Sequence, residues 1–351
     1  MKKKLSLLLS GILCLGLLTS CGSTTNSGYA GTYWLENPIH KQVDESFYEK
    51  IEYKVTTEED CEGTTLTNLN KDALFLSIDS NKSSYVTELY GENGLYVYKT
   101  TLTLYGEYIF AGDGYVVDGD VTQTETSFKG YEDGFACVKS VKTIKNTLPV
   151  TSTPTSADDF AVVEATITTD YGPKNATHTL TADEKNKSYF NSLVEPVTIK
   201  KYNKKSYIEN DLIMLMARNF AYEDTLNYTF SSIESATGEL TELKIAPFTK
   251  TTSNGSSDSA TSSSAIRTLT VENCQLDGVI RNVNFNTYRL KFSTTGEYAQ
   301  DFTYAYYAKS LDNDSDDPQN LSRHYMVKCY KPALYNLFYM VFTIDTVTHT
   351  R

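Results

Sequence analysis

The chain has 351 residues and a formal net charge of −12, from 44 acidic residues against 32 Lys and Arg. An acidic surface is repelled by nucleic acid, so nucleic-acid binding is excluded as a function. The length is sufficient for one large domain or two ordinary ones. The 27 Tyr residues, with plentiful Thr and Ser, are typical of half-exposed sheet, so the composition predicts a mainly β protein.

The first residues have the pattern of an export signal. Three Lys at positions 2–4 precede an apolar run, 5–18, that is too short to remain as a membrane-spanning helix. The tetrapeptide that ends at Cys21 (LTSC) resembles the lipobox of bacterial prolipoproteins. In that family the Cys thiol receives a diacylglycerol, and cleavage makes this Cys the new N-terminus. The resemblance implies a signal peptide over 1–20 and a lipid, including palmitate-type acyl chains, on Cys21.

The following segment, 21–28, contains only small and polar residues after Cys21 and is predicted to be a flexible tether. We therefore expect the folded part to lie on the extracytoplasmic side of the cell membrane, held there through the lipid on Cys21. Position 22 is Gly, whereas an Asp at this position signals inner-membrane retention in the lipoproteins of two-membrane bacteria. This difference implies the outer membrane if the cell has one.

The segment 29–147 is predicted to be an N-terminal β unit. Ile51, Tyr53 and Val55 alternate with polar residues, as in a strand with one buried face. Further strand patterns follow in succession, and the Asn93-Gly94 pair favours a tight hairpin turn. We expect an antiparallel meander that ends at a polar linker, 148–158.

The remaining segment, 159–351, is predicted to be a second β unit that contains one short helix, 211–219. Leu212, Leu215 and Met216 share one face of this helix, and the face contacts either a ligand or a sheet. A Ser/Thr-rich segment at 249–265 is predicted to be a disordered loop.

Three short motifs in this second half resemble a β-rich domain of bacterial envelope proteins with unassigned function. They are 207–213 (YIENDLI) followed by Arg218, 284–290 (NFNTYRL) and 302–309 (FTYAYYAK). The fold of that domain is similar to the half-barrel of the lipoprotein carriers LolA and LolB. The resemblance implies a curved antiparallel sheet packed on the short helix, with a concave face that receives an acyl chain or another apolar ligand. It implies no catalytic residues.

Five residues are therefore candidates for a ligand site: Leu212, Leu215, Met216, Tyr304 and Tyr306. In the first interpretation they surround an apolar or lipid ligand in the concave sheet. In the alternative, the strand tyrosines form an exposed aromatic surface that binds an envelope polysaccharide or a protein, as in an adhesin. An empty apolar concavity would favour the first interpretation, and an exposed aromatic platform the second.

Four cysteines follow Cys21, and an even number in an exported protein permits two disulfides. The simplest pairing joins Cys61 to Cys137 and Cys274 to Cys329. Free buried thiols are the alternative.

Other chemistry has little support in the pattern. Asp312, Asp314 and Asp316 have the alternation of a calcium loop, but an EF-hand needs Gly and Glu where this chain has Asp317 and Arg323. No nucleophile–base pair, zinc set or phosphate loop can be assembled from the spacing of the residues. We therefore expect a non-enzymatic binding or structural lipoprotein without a cofactor.

Overall fold

The computed structural model describes residues 43–62, 64–66, 74–130, 133, 135–151, 153–173, 175–190, 196–200, 212–219, 222, 227–233, 240–248, 250–251, 263–294, 303–311, 324–333 and 337–350. Strands dominate these ranges. The first ten are β1 (Tyr48–Glu58), β2 (Asp60–Cys61), β3 (Thr64–Thr65), β4 (Phe75–Ile78), β5 (Ser84–Glu92), β6 (Leu95–Phe110), β7 (Asp113–Phe128), β8 (Cys137–Pro149), β9 (Phe160–Tyr171) and β10 (Asn175–Thr181).

Two short helices and ten more strands follow. They are α1 (Glu184–Lys187), β11 (Val197–Lys200), α2 (Ile213–Met216), β12 (Tyr228–Ile233), β13 (Leu240–Pro247), β14 (Lys250–Thr251), β15 (Ser263–Ser264), β16 (Ile266–Leu276), β17 (Val279–Thr294), β18 (Thr303–Leu311), β19 (Met326–Ala333) and β20 (Phe338–His349). Helix α2 continues as a 3₁₀ turn, Ala217–Asn219, and another 3₁₀ turn, Ala157–Asp159, precedes β9. The predicted fold class, a mainly β protein built from antiparallel meanders, is confirmed, and the second half contains two short helices where one was predicted.

One large sheet contains strands from both halves of the chain. Its order is β11-β10-β9-β8-β7-β6-β5-β1-β20-β19-β18-β17-β13-β12, with β4 beside β6 and β16 beside β17. Strand β1 lies between β5 and β20 and pairs antiparallel with both. The N-terminal and C-terminal β units are therefore parts of one sheet.

The segment predicted as a linker, 148–158, lies inside a hairpin. Strand β8 extends to Pro149, which is paired with Phe160 at the start of β9. The backbone N–H of Val150 donates to the carbonyl of Asp159 (2.7 Å), which closes the connection. The composition of the segment is that of an exposed turn, and here the turn joins two paired strands.

The last five strands close into a circuit. Strands β16 to β20 pair in succession, and β16 then pairs in parallel with β20 through Gln275 and Leu276. This closed unit occupies the place of the half-barrel that the family resemblance implied. Helix α2 contacts this unit through Tyr307 on β18, whose hydroxyl donates to the carbonyl of Met214, and Leu212, Leu215 and Met216 lie in the buried core that contains Tyr307.

Local predictions of strand faces and turns hold in the first unit. Ile51, Tyr53 and Val55 are buried on one side of β1, as their alternation predicts. Asn93 and Gly94 have positive φ values of 51° and 72° in a two-residue loop between β5 and β6. Positive φ at both positions is the geometry that matches the right-handed twist of the flanking strands, and Asn-Gly adopts it at low cost.

Candidate functional site: a cleft between a threonine wall and a methionine wall

A cleft lies between the strands of the first unit and the last strands of the second. Its empty volume, including its opening to solvent, is about 720 Å³. Strands β5 to β8 form one wall, and β19, β20 and helix α2 form the other. The lining residues are Tyr85, Thr100, Leu102, Thr122, Thr124, Lys142, Met214, Met326, Cys329, Lys331, Pro332, Ala333, Met340 and Phe342.

The first wall is polar because strand register aligns hydroxyl side chains. Thr124 is paired with Thr100 on β6 and with Lys142 on β8, which places all three side chains in one row across the sheet. Side chains two residues apart share a face of a strand, so Thr122 belongs to the same wall. These four side chains are buried. A polar row facing inward is unusual for a sheet that packs only against a core.

The opposite wall is mainly apolar, with the charged Lys331 among its residues, and contains flexible side chains. Met326 on β19 and Met340 on β20 contribute thioethers, and Phe342 lies beside Tyr85 with ring centroids 4.7 Å apart. Unbranched methionine side chains adapt their shape to different apolar partners. This wall therefore suits an apolar group without a fixed outline.

Helix α2 closes part of the cleft through Met214. The Tyr307 hydroxyl donates to the backbone carbonyl of Met214 (3.1 Å) and also contacts its sulfur (3.4 Å). One turn later, the Arg218 guanidinium donates to both carboxylate oxygens of Glu49 on β1, at 2.6 and 3.1 Å. These contacts attach the helix to both units of the sheet.

The Arg218–Glu49 pair lies in the interior, with side-chain exposures of 5% and 2%. Burial by itself lowers the pKa of Arg218, but the charge and hydrogen bonds of Glu49 raise it above its ordinary value. The His324 ring nitrogen Nδ1 lies 2.8 Å from the carbonyl of Arg218, and the guanidinium lies 5.2 Å from the ring centre of Tyr325. Arg218 therefore stays charged and fixes the end of the helix.

The titratable groups of the cleft include one thiol and two ammonium groups. Burial raises the pKa of the Cys329 thiol to about 12, so this thiol is protonated at neutral pH. Lys142 and Lys331 bring ammonium groups to the lining, and both also interact with other parts of the chain. What the lining offers is apolar contact, hydroxyl groups and positive charge.

The helical residues predicted for a ligand lie elsewhere. Leu212, Leu215 and Met216 are buried in the core, with at most 5% of each residue exposed, and none of them lines the cleft. The three side chains lie in the core together with residues of the sheet, as the second interpretation of this stripe predicts. Met214 lies between Leu212 and Leu215 in sequence and on a different face of the helix, and it lines the cleft. A pattern based on one shared face therefore did not include it.

Tyr304 and Tyr306 are covered on the outer face of β18. They pack with Cys61, Tyr330 and Tyr339 beneath the segment that carries β2 and β3. Tyr304, Tyr306 and Tyr307 are each at most 2% exposed, so the prediction of an exposed aromatic platform at these tyrosines is wrong. They also do not line the cleft. The alternation of the sequence placed them on a common face but could not show that a remote segment covers it.

The four cysteines are free and buried. The suggested disulfides, Cys61 with Cys137 and Cys274 with Cys329, are not formed, and the alternative of buried thiols is correct. Burial raises the pKa of Cys61 to about 12 and that of Cys274 to about 11. These thiols therefore pack as small apolar groups.

Several predictions concern residues outside the described ranges. They are the signal peptide, lipidation at Cys21, the tether, the candidate calcium ligands Asp312, Asp314 and Asp316, and residues 249 and 252–262 of the Ser/Thr-rich loop. The described ends of that loop differ from the prediction, because β14 and β15 pair there as antiparallel strands. Within the described ranges, no group of three or more His, Cys, Asp or Glu residues is placed to hold a metal ion. No helix in the same ranges has the length and apolarity needed to cross a bilayer.

The residues that line the cleft were largely missed because their signal is weak. Thr122, Thr124 and Thr126 alternate along β7 in the same way that apolar residues alternate along β1. Such a period-two pattern of threonines is compatible with either face of a strand. Only the burial of all three side chains identifies the pattern as the inner face.

No protein-family model and no curated protein matches this chain. Among solved structures, the chain matches a β-barrel-like protein of a domain of unknown function, DUF1849, from Brucella abortus. The match has a TM-score of 0.45 and 8% sequence identity, and it covers 88% of this chain and 100% of that one. We therefore base the functional interpretation on the chain's own residues.

Proposed function

We propose that the protein is an extracytoplasmic lipoprotein, anchored through Cys21, whose cleft binds an apolar or lipid-like ligand. The observation that carries the proposal is the wall formed by Met214, Met326, Met340 and Phe342, which faces an open volume. Apolar walls with a few convergent polar groups are typical of small-molecule sites. The anchor is supported by the lipobox resemblance at 18–21.

The two walls suggest how such a ligand lies in the cleft. An acyl or other hydrocarbon chain contacts the methionine wall, because burial of apolar surface drives binding. The polar end of the ligand lies beside Thr100, Thr122 and Thr124, whose hydroxyls donate and accept hydrogen bonds. The protein then acts as a binding lipoprotein and needs no catalytic group.

Native mass spectrometry tests the proposal directly. The mature chain with Cys21→Ala is purified from a bacterial envelope and analysed intact, and its lipids are extracted in parallel. We expect an acyl lipid at a constant ratio to protein. Met214→Trp places a larger side chain in the cleft and is expected to reduce that ratio at least several-fold.

A matched control separates loss of the site from loss of the fold. Thr126 lies on the same strand and face as Thr124 but outside the cleft. Thr126→Val is expected to retain the ligand. A mass without bound lipid for the Cys21→Ala chain that has no cleft substitution contradicts the proposed site. An unchanged lipid ratio in a folded Met214→Trp variant contradicts it as well.

Replacing the lysines shows which polar end the ligand carries. Lys142→Met and Lys331→Met are each expected to weaken binding of a fluorescent fatty acid more than binding of an uncharged monoacylglycerol, because only the former presents a carboxylate. Equal effects on both probes would indicate that the two ammonium groups serve the fold and not the ligand.

A further inference from the structure

The hairpin between β16 and β17 exposes apolar side chains at its tip. Val279 and Ile280 are 60% and 65% exposed, and they are the only large apolar residues in the described ranges that are both exposed and consecutive. Consecutive strand residues point to opposite faces, so exposure of both means that the tip extends beyond the body of the sheet. Neighbouring tip residues, from Asp277 to Asn282, are exposed as well.

This tip is held in a fixed conformation. Leu276 is paired with Val279, and the two loop residues between them, Asp277 and Gly278, have positive φ values of 48° and 86°. The backbone N–H of Asp277 donates to the carbonyl of Val347 (2.9 Å), and the Asp277 carboxylate lies 2.7 Å from His349 Nδ1. The exposed side chains therefore project from a preorganised turn that is attached to the end of β20.

The same end of the sheet is where the described chain begins. Thr350, directly after β20, donates its N–H to the carbonyl of Tyr48 (2.9 Å) and its hydroxyl to the carbonyl of Ser46 (3.0 Å). Strands β1 and β16 flank β20 here, because Ile51 and Leu276 are both paired with Val347. Neighbouring strands are about 4.8 Å apart, so the tip hairpin and the start of the fold are roughly 10 Å apart.

The hairpin between β6 and β7 lies at the opposite end. Strand β6 starts beside Tyr48, because Tyr48 is paired with Tyr90 at the end of β5 and Gly91 is paired with Tyr96. It runs 16 residues away from that end, or roughly 50 Å. Val116 near this second hairpin is 66% exposed, and Ile109 in the same hairpin and Phe75 beside it are 46% and 37% exposed, so the molecule also has exposed apolar positions far from the start of the fold.

We infer that the β16–β17 tip inserts Val279 and Ile280 into the surface of the bilayer that holds the anchor. The inference depends on the proposed lipid at Cys21, since the segment between that residue and Val43 leads to this end of the sheet. The partner is the neutral apolar interface of a lipid bilayer. Glu92 lies in the adjacent β5–β6 hairpin and Glu45 accepts a hydrogen bond from Gly94 of that hairpin. With Asp277 these carboxylates outnumber the exposed Arg281 of the tip, so attraction to anionic lipid is not the driving force.

Tryptophan reporters on tethered protein test the inference. The mature chain carries an N-terminal His tag and is bound to phosphatidylcholine vesicles that contain a nickel-chelating lipid. This arrangement supplies the tether whether or not Cys21 is lipidated. Trp34, the single Trp of the chain, is replaced by Phe, and a new Trp is introduced as Ile280→Trp or, as the matched control, Val116→Trp.

The expected result is a blue-shifted emission for Ile280→Trp and quenching by brominated phosphatidylcholine, with neither change for Val116→Trp. Quenching of neither reporter, or of both equally, overturns the inference. Adding Val279→Ser to Ile280→Trp is expected to reduce the quenching about tenfold or more, since the apolar area that enters the bilayer decreases. Mass spectrometry of the N-terminal peptide from the native host tests the lipid at Cys21 separately.

Discussion

The two faces of strands β18 to β20 are both covered by remote parts of the chain, but the covers are attached differently. On the inner face, helix α2 is attached by the Arg218–Glu49 pair, which is almost completely buried. On the outer face lies a segment that we call the outer strap (residues 58–62 and 64–66). Its Glu62, which is 12% exposed, pairs with Arg289 at 2.5 Å and with Arg267 at 3.1 Å, and Arg289 is 5% exposed whereas Arg267 is 50% exposed.

The difference shows how burial determines the loss of stability when one partner of an ion pair is removed. Charges deep in the interior have lost their water, so each depends on its partner, and removal of one leaves the other uncompensated. On the outer face Arg289 is as buried as Arg218, but Arg267 and part of Glu62 reach water, and charges that reach water recover hydration when a partner is lost. We therefore expect the inner cover to be a fixed part of the fold and the outer strap to be the cover that opens first.

The largest effect is expected for the inner pair. Glu49→Gln leaves the Arg218 charge buried without a counter-charge, which is expected to lower the free energy of unfolding by about 3–5 kcal/mol. Urea denaturation followed by circular dichroism measures this change. The double variant Glu49→Leu with Arg218→Met removes both charges and is expected to recover most of the loss. A loss below about 1 kcal/mol in the single variant would contradict the assigned burial.

Substitution in the outer strap is expected to lower the free energy of unfolding less than Glu49→Gln does. Glu62→Gln weakens the charge-assisted bond to Arg289 and is expected to cost about 1.5–3 kcal/mol. Alkylation of Cys61 at pH 8 reports the opening, because burial holds its pKa at about 12 in the closed strap. We expect faster alkylation of Cys61 and unchanged protection of Cys329, each identified by peptide mass spectrometry. Equal acceleration at both thiols would instead indicate general unfolding.

Two adjacent tyrosines allow the same substitution on each face. Tyr307→Phe removes the bond to the carbonyl of Met214, and Tyr306→Phe removes the hydroxyl that lies 3.8 Å from Cys61 Sγ. Each is expected to cost about 1 kcal/mol, but the reporters differ. Tyr306→Phe is expected to speed alkylation of Cys61, whereas Tyr307→Phe leaves that rate unchanged. Faster alkylation of Cys61 in Tyr307→Phe but not in Tyr306→Phe would contradict the assignment of Tyr306 to the outer face and Tyr307 to the inner face.

The smallest effect is expected at a surface pair between β1 and β20. Lys54 lies 2.7 Å from Asp345, with side-chain exposures of 57% and 32%. Because water screens exposed charges, Lys54→Ala is expected to change the free energy of unfolding by less than about 0.5 kcal/mol in urea denaturation. A loss as large as that of Glu49→Gln would show that burial does not set the scale of these effects.

Much of the local structure was predictable because strand patterns have a short period. The alternation at Ile51, Tyr53 and Val55 specifies a buried face from neighbouring residues alone, and Asn93-Gly94 specifies a turn. The short helix that carries Leu212 and Leu215 was also recognisable. Its boundaries differ, since α2 spans Ile213–Met216.

The candidate site was not predictable in the same way. Its walls come from β5 to β8 and from β19 and β20, which are far apart in the chain. Met214 and Thr124 become neighbours of one cleft only when β1 pairs with β20 and joins the two halves. No local period in a sequence encodes a pairing between segments separated by almost the whole chain.

The sequence by itself determined the strand-rich class, the faces of individual strands and the hairpin turns, since each depends on side chains a few residues apart. The tertiary structure decided which faces became covered. Tyr306 and Thr124 both follow an alternating pattern, yet the outer strap buries the first and the second lines a cleft. Burial depends on the partner that a face meets, and strand register and closure of the sheet select that partner.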